Sequence, residues 1–379
     1  VVRTSYGKRR KRGNRGRRGR YGKPAFVFVV LLVIGLLAAL LFFLLQNKNA
    51  QAPVKAPGQA SELPAQELSV WITDWQWEAG IEDWSALHKG TVDLQLFAAY
   101  FDERDELYFT ETMSNALPRL HELTGVEADS DARIGLTLVN DIIHDDGSTV
   151  QKDPELLTRL TSTNESRARH MESITKIVGR YGLDQIEIDY EQIKDQDWPN
   201  MIRFYEELAL ELDEMNVSLR IVLEPKAPIE ELKLPEGPEY VMMAYNLYGG
   251  HSGPGPKADM VFIKELAARM SHLPGDPIMA FSAGGFDWSE GSSTVSLTEK
   301  AAADLLDRYE ITPERDTKSG SLYFNYTDED GAPHTVWYAN HETLQGWMEE
   351  AGREGIHKYA IWRLGELGED TRDLLREIE

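Results

Sequence analysis

Eight short apolar runs are spread between Leu68 and Trp362, and helical patterns lie among them. The runs are Leu68–Thr73, Asp93–Tyr100, Arg133–Val139, Gln185–Tyr190, Ser218–Leu223, Tyr240–Tyr245, Pro277–Ser282 and Tyr359–Trp362. Helices are expected at Glu155–Tyr181, Pro199–Met215 and Asp259–Ser271, the first two with apolar residues at three-to-four spacing. Strands alternating with helices define an α/β chain on a parallel sheet. An open, doubly wound sheet would also alternate, but eight strands in about 310 residues favour a (β/α)8 TIM barrel over 68–379. Ser321–Tyr326, the turn Asp328–Ala332 and Thr335–Tyr338 read as a β-hairpin. It predicts a small α+β insertion between strands 7 and 8, at about 302–340.

Ahead of the barrel the chain changes character three times. Residues 1–24 form a basic tail, with eleven Lys or Arg between Arg3 and Lys23 and no acid. Residues 25–45 are apolar without a charge, and 21 residues at ~1.5 Å each span ~30 Å, one hydrocarbon core. They are expected to form one transmembrane helix, with the positive tail cytoplasmic and the rest outside. A cleaved signal peptide is the alternative, since Ala50-Gln51-Ala52 has a small-x-small pattern, but its apolar core should be only ~7–15 residues. Residues 46–67 are rich in Ala, Pro and Gln and read as a flexible linker with a mean reach of ~26 Å.

A net charge of −23, with +11 in the tail, leaves −34 beyond it. So acidic a portion should not bind nucleic acid by bulk attraction. There is no cysteine, which excludes a disulfide framework, a thiolate metal site and a thiol nucleophile.

The most informative segment is Gly182–Gln192, GLDQIEIDYEQ. On a strand Ile186, Ile188 and Tyr190 face one way and Glu187, Asp189 and Glu191 the other, with Asp184 before them. An edge strand with a solvated acidic face would show the same pattern. In a barrel, one face packs on helices and the other enters the interior, so the carboxyls converge toward the C-terminal mouth. Crowded there, at least one should be hard to ionise and so able to serve as a general acid.

This segment resembles the D-x-x-D-x-D-x-E signature of family 18 glycoside hydrolases, the chitinase-like enzymes. Asp184, Glu187, Asp189 and Glu191 take its acidic positions, with Glu187 for the usual Asp and Gln185 for the usual Gly. MMAYN (Met242–Asn246) is similar to the family's sixth-strand motif, with Asn246 where Asp is common, and YAIWRLG (Tyr359–Gly365) to its eighth strand. EPK (Glu224–Lys226), SGPGPKA (Ser252–Ala258) and HTVWY (His334–Tyr338) look closest to a branch of bacterial cell-wall and spore-cortex-lytic enzymes.

The resemblance implies a retaining reaction in which the sugar's own 2-acetamido oxygen attacks the anomeric carbon. Glu191 would protonate the leaving oxygen and later activate water. Asp189 would orient the acetamido group, Glu187 would hold or share a proton with Asp189, and Tyr245 would hydrogen-bond the acetamido oxygen. Trp362 would stack on the pyranose, and Asn246, Asp184 and Trp75 would join the substrate site. Each has a plainer alternative: a structural ion pair for Glu191 and Asp189, an inward barrel residue for Tyr245, core packing for Trp362 and Trp75.

No metal site and no cofactor are expected, since the nine His include no H-E-x-x-H pair and no phosphate-binding loop follows a strand. The expected partners are an N-acetylglucosamine-containing polysaccharide such as peptidoglycan and, through the N-terminal helix, the membrane. A lectin-like relative without turnover is the rival reading, prompted by Glu187 and Asn246. A scaffold for wall assembly is a third.

Overall fold

The computed structural model describes residues 67–87, 92–126, 132–291 and 293–378. The basic tail, the expected span at 25–45 and nearly all of the linker lie outside the described residues. Among those described, no helix is long and apolar enough to cross a membrane. The chain divides into two units, Val1–Leu63 and Pro64–Glu379, and every described residue belongs to the second.

Eight parallel strands form the barrel: β1 Glu67–Thr73, β2 Asp93–Phe101, β3 Ile134–Ile143, β4 Gln185–Asp189, β5 Ser218–Leu223, β6 Glu239–Met243, β7 Ile278–Ser282 and β8 Lys358–Trp362. Each pairs in parallel with the next, and β8 pairs with β1 through Leu68–Tyr359 and Val70–Ile361, which closes the cylinder. All eight expected strands are present. The alternation on β4 holds as well. Ile186, Ile188 and Tyr190 are buried in the apolar layer beneath the helices, with Ile174 and Phe204. Gln185, Glu187 and Asp189 are buried on the opposite side, in the interior.

The expected helix Glu155–Tyr181 is two helices, Pro154–Thr161 and Asn164–Tyr181. Asp153 caps the first, with Pro154 at its first position. Thr163 and Ser166 form a capping box on the second, so Ser162 and Thr163 interrupt the run. Gly182 ends the second helix at φ 61°, a left-handed conformation that glycine adopts without Cβ strain, and the chain turns directly into β4.

Between β7 and β8 lies a five-stranded antiparallel sheet with the helix Glu299–Tyr309 packed on it. The expected hairpin is there as Leu322–Thr327 and Pro333–Ala339. The sheet begins earlier than expected, at Gly284–Ser289, directly after β7. A Cβ on Gly285 would lie 1.8 Å from the Trp337 carbonyl oxygen. Glycine at this position is what lets the strand pair so closely.

Candidate active site

A cavity of about 650 Å³ opens at the C-terminal end of the barrel. Asp189 and Glu191 from the end of β4, Tyr245 and Asn246 from the end of β6, Trp362 from β8 and Trp75 after β1 all line it. Six of the eight sequence-predicted residues therefore share one space. Glu187 lies beneath it, fully buried in the barrel interior. Asp184 is outside it. It is exposed at the N-terminal end of β4, where its Oδ2 accepts from the Ile134 N–H at 3.1 Å. Five to seven residues at ~3.3 Å each separate it from Asp189 and Glu191, so it serves the β3–β4 joint and not the expected substrate site.

The carboxyls differ in their surroundings. Glu187 Oε1 accepts from Trp71 Nε1 at 2.6 Å and from Thr137 Oγ1 at 2.7 Å, and Oε2 lies 2.9 Å from Arg220 Nε. Arg220 is itself fully buried, so the two charges compensate each other where neither would be tolerated alone. The expected proton sharing between Glu187 and Asp189 has no hydrogen bond to carry it: Oε1 is taken by Trp71 and Thr137, and Oε2 meets Arg220 as an ion pair without a hydrogen bond. Asp189 is raised to about 7, first by burial and then by Glu191, Glu187 and Asp141, with Lys152 opposing. Its Oδ1 has no hydrogen-bond partner. One carboxyl of the row is thus hard to ionise, through burial first and crowding second, and it is Asp189 and not the expected proton donor Glu191.

Glu191 is less enclosed. Its side chain meets Lys152 Nζ at 2.7 Å, and the same ammonium lies 3.5 Å from Asp189 Oδ2. Its backbone is clamped by Asn140, whose Oδ1 accepts from Glu191 N–H and whose Nδ2 donates to the Glu191 carbonyl, both at 3.0 Å. The next residue, Gln192, donates its N–H to Glu224 Oε2 at 2.7 Å.

Tyr245 is almost fully buried, and its phenol is pushed well up, first by burial and then by Asp189, Glu191 and Glu187. It stays protonated and available as a donor. Trp362 is half-buried and meets Phe97 edge-on at 4.9 Å and Trp71 at 5.9 Å, which fixes its ring in the cavity wall. Trp75 is 56% exposed at the rim, edge-on to Phe97 at 5.7 Å. Asn246 is exposed at φ 64°, a left-handed conformation that Asn tolerates. Across the mouth Tyr100 Oη donates to Asp74 Oδ1 at 2.8 Å.

Sequence reasoning missed Lys152, Asn140, Asp141 and Arg220. Asn140 and Asp141 had a signal: two polar residues at the C-terminal end of an apolar barrel strand, where sites of this fold lie. The expected strand stopped at Val139 and left them out. Lys152 had none, being one lysine in a polar loop. Among the described residues no cluster of three or more His, Cys, Asp or Glu is arranged to hold a metal ion.

The arrangement can donate a proton from one carboxyl, orient a polar group with a second, hydrogen-bond it with a phenol, and carry a flat apolar ring face on an indole. The family described as Glycosyl hydrolases family 18 matches residues 150–366. The uncharacterized glycosylase YvbX of Bacillus subtilis (strain 168) is 23% identical over 253 residues, 63% of this chain and 72% of that protein. The cortical fragment-lytic enzyme of Bacillus anthracis is 26% identical over 212 residues, 51% of this chain, which spans only 49% of that enzyme's length. The crystal structure of the Bacillus cereus spore cortex-lytic enzyme SleL superposes with a TM-score of 0.68 at 18% identity, covering 83% of this chain and 74% of that one. At that identity the likeness is one of fold.

Proposed function

The chain belongs to glycosyl hydrolase family 18, and from that premise we propose that this cavity hydrolyses β-linkages that follow N-acetylated amino sugars, in peptidoglycan or a chitin-like polymer. The observation that carries the reading is the convergence of Glu191, Asp189, Tyr245 and Trp362 on one space. A pyranose stacked on Trp362 would lay its acetamido group toward Asp189 and Tyr245. The acetamido oxygen would attack the anomeric carbon as Glu191 protonates the leaving oxygen, and Asp189 would stabilise the positive charge of the oxazolinium. Glu191 would then take a proton from the attacking water, and the configuration would be retained. Two of the three named relatives, the cortical fragment-lytic enzyme and the spore cortex-lytic enzyme, are named for lysis of cortex, which favours a wall polymer as substrate.

The test is release of reducing sugar from peptidoglycan and from chitooligosaccharides, with the product anomer followed by NMR. Glu191→Gln should lower turnover by about 10²- to 10⁴-fold. Equal activity in the two proteins would sink the assignment. The sugar-binding rival draws on Glu187, which Arg220 engages in place of Asp189. Calorimetric binding of an oligosaccharide by the wild type, with no turnover, would favour it.

We also propose that residues 25–45 hold the barrel at the outer membrane face. The support is the charge-free run with its basic flank.

A further inference from the structure

We propose that Lys152 is the positioning residue of the proton-transfer step: its ammonium stabilises the negative charge that appears on Glu191 as the leaving oxygen takes the proton. The inference rests on the proposed glycosidase activity and adds to it a residue that the acidic signature does not contain.

The geometry is specific. Four carboxylates line the cavity, Asp74, Asp141, Asp189 and Glu191, and Lys152 is the one cationic residue among the described residues that line it. Its Nζ lies 2.7 Å from Glu191 Oε1 and 3.5 Å from Asp189 Oδ2, over the Phe97 ring at 5.6 Å. The side chain is only 18% exposed, so the pair is poorly screened. Its backbone is held in a conformation that costs energy. Lys152 sits at φ 54°, left-handed for a residue with a long side chain, and its N–H donates to Asp141 Oδ1 at 2.8 Å. The antiparallel pairing of Thr149–Val150 with Ile142–Ile143 brings this strained residue back over the end of β4. A lysine that served only to cap a surface acid would need neither the strain nor the burial.

The chemistry follows from where charge moves. As general acid, Glu191 has to bring a proton into the first step. The bond between the anomeric carbon and the leaving oxygen breaks, and its electron pair goes to that oxygen, which takes the Glu191 proton. A lone pair of the acetamido oxygen forms the new bond to the anomeric carbon. Glu191 ends the step as a carboxylate beside the ammonium, so the lysine acts most strongly on the transition state and product of this step. Its effect should grow with the need for protonation. An alkoxide leaving group, as in an oligosaccharide, needs the proton, whereas a 2,4-dinitrophenolate scarcely does.

The test compares kcat/KM on a chitooligosaccharide with kcat/KM on a chitooligosaccharide carrying a 2,4-dinitrophenyl leaving group. The variants are Lys152→Met, Lys152→Gly and Lys152→Arg, with Glu191→Gln alongside. Glycine suits the left-handed backbone, so Lys152→Gly removes the charge with the loop conformation kept, should the Met variant fold poorly. On the oligosaccharide the Met and Gly variants should lose about tenfold to a hundredfold, the value of one hydrogen bond to a charged group. Their loss on the activated glycoside should be smaller by about tenfold, and Lys152→Arg should recover most of the difference. Equal losses on the two substrates would mean a structural role only, and no loss on either would mean no role; both overturn the proposal. A wild type inactive on both substrates, or matched by Glu191→Gln, would instead overturn the glycosidase reading on which it stands.

Discussion

Asp189 shows how one side chain joins function to stability. Its carboxyl sits at about 7, against an ordinary 3.8, chiefly because it is buried. A carboxyl raised in the folded state adds stability that is whole below 3.8 and is lost as pH climbs through about 7. At neutral pH and above, the protein carries the cost of holding this group as an anion. Asp189→Asn removes that cost, while Lys152 keeps its 2.7 Å contact with Glu191. In urea unfolding at about pH 8 the variant should therefore be the more stable protein, and the gap should close toward about pH 5. Turnover should fall by about a hundredfold or more, as for loss of a preorganised charge partner. A gap that does not change with pH would show that Asp189 does not carry the strain. The position of this carboxyl was legible in the sequence, because side chains alternate on a strand and the barrel makes one face interior. The company it keeps was not. Lys152 and Arg220 reach the row from other strands and loops, and no spacing along the chain encodes which cation meets which acid.

Among the elements, the joint between β3 and β4 matters most to the site. Glu191 lies just beyond the end of β4, and two hydrogen bonds from Asn140 hold its backbone. Asn140 is fully buried, and its Nδ2 also reaches the Asp153 carbonyl at 3.2 Å, so one side chain ties three segments together. Asn140→Ala should let the Glu191 carboxyl wander by a fraction of an ångström to an ångström. The expected result is a fall in kcat of about tenfold to a hundredfold with a small change in KM. Steady-state kinetics on the oligosaccharide, with circular dichroism to confirm the fold, would check it. A large rise in KM with kcat intact would mean that Asn140 shapes binding instead. The existence of the elements was readable from apolar periodicity, down to the eight strands and the inserted hairpin. Their ends were less so. The break at Ser162-Thr163 rests on a capping box with Ser where Glu or Gln gives the usual signal, and the first inserted strand opens with glycines that mimic a turn.

At the scale of the whole molecule, the proposed anchor gives the barrel and the segment ahead of it separate tasks. Pro64–Glu379 forms one compact unit, with its core between the strands and the surrounding helices and its cavity at the strand ends. The residues described as lining the cavity all lie in this unit, so the proposed anchor at 25–45 should determine where the activity is and leave its rate alone. The physical expectation is sharp. A charge-free run of 21 residues spans ~30 Å, and insertion of such a helix is effectively irreversible, whereas a strongly acidic barrel is repelled by anionic lipid heads. The full chain, expressed in a bacterium, should therefore remain in the membrane pellet after alkaline carbonate extraction. A chain of residues 64–379 should stay in the supernatant and cleave a soluble oligosaccharide with the same kcat/KM. On whole cell walls the two should differ, because a linker of ~26 Å mean reach would confine an anchored enzyme to the polymer nearest the membrane. Full-length protein released by carbonate at its intact mass would remove the anchor. Release of a fragment starting near Pro53, just after Ala50-Gln51-Ala52, would show that the run acts as a cleaved leader.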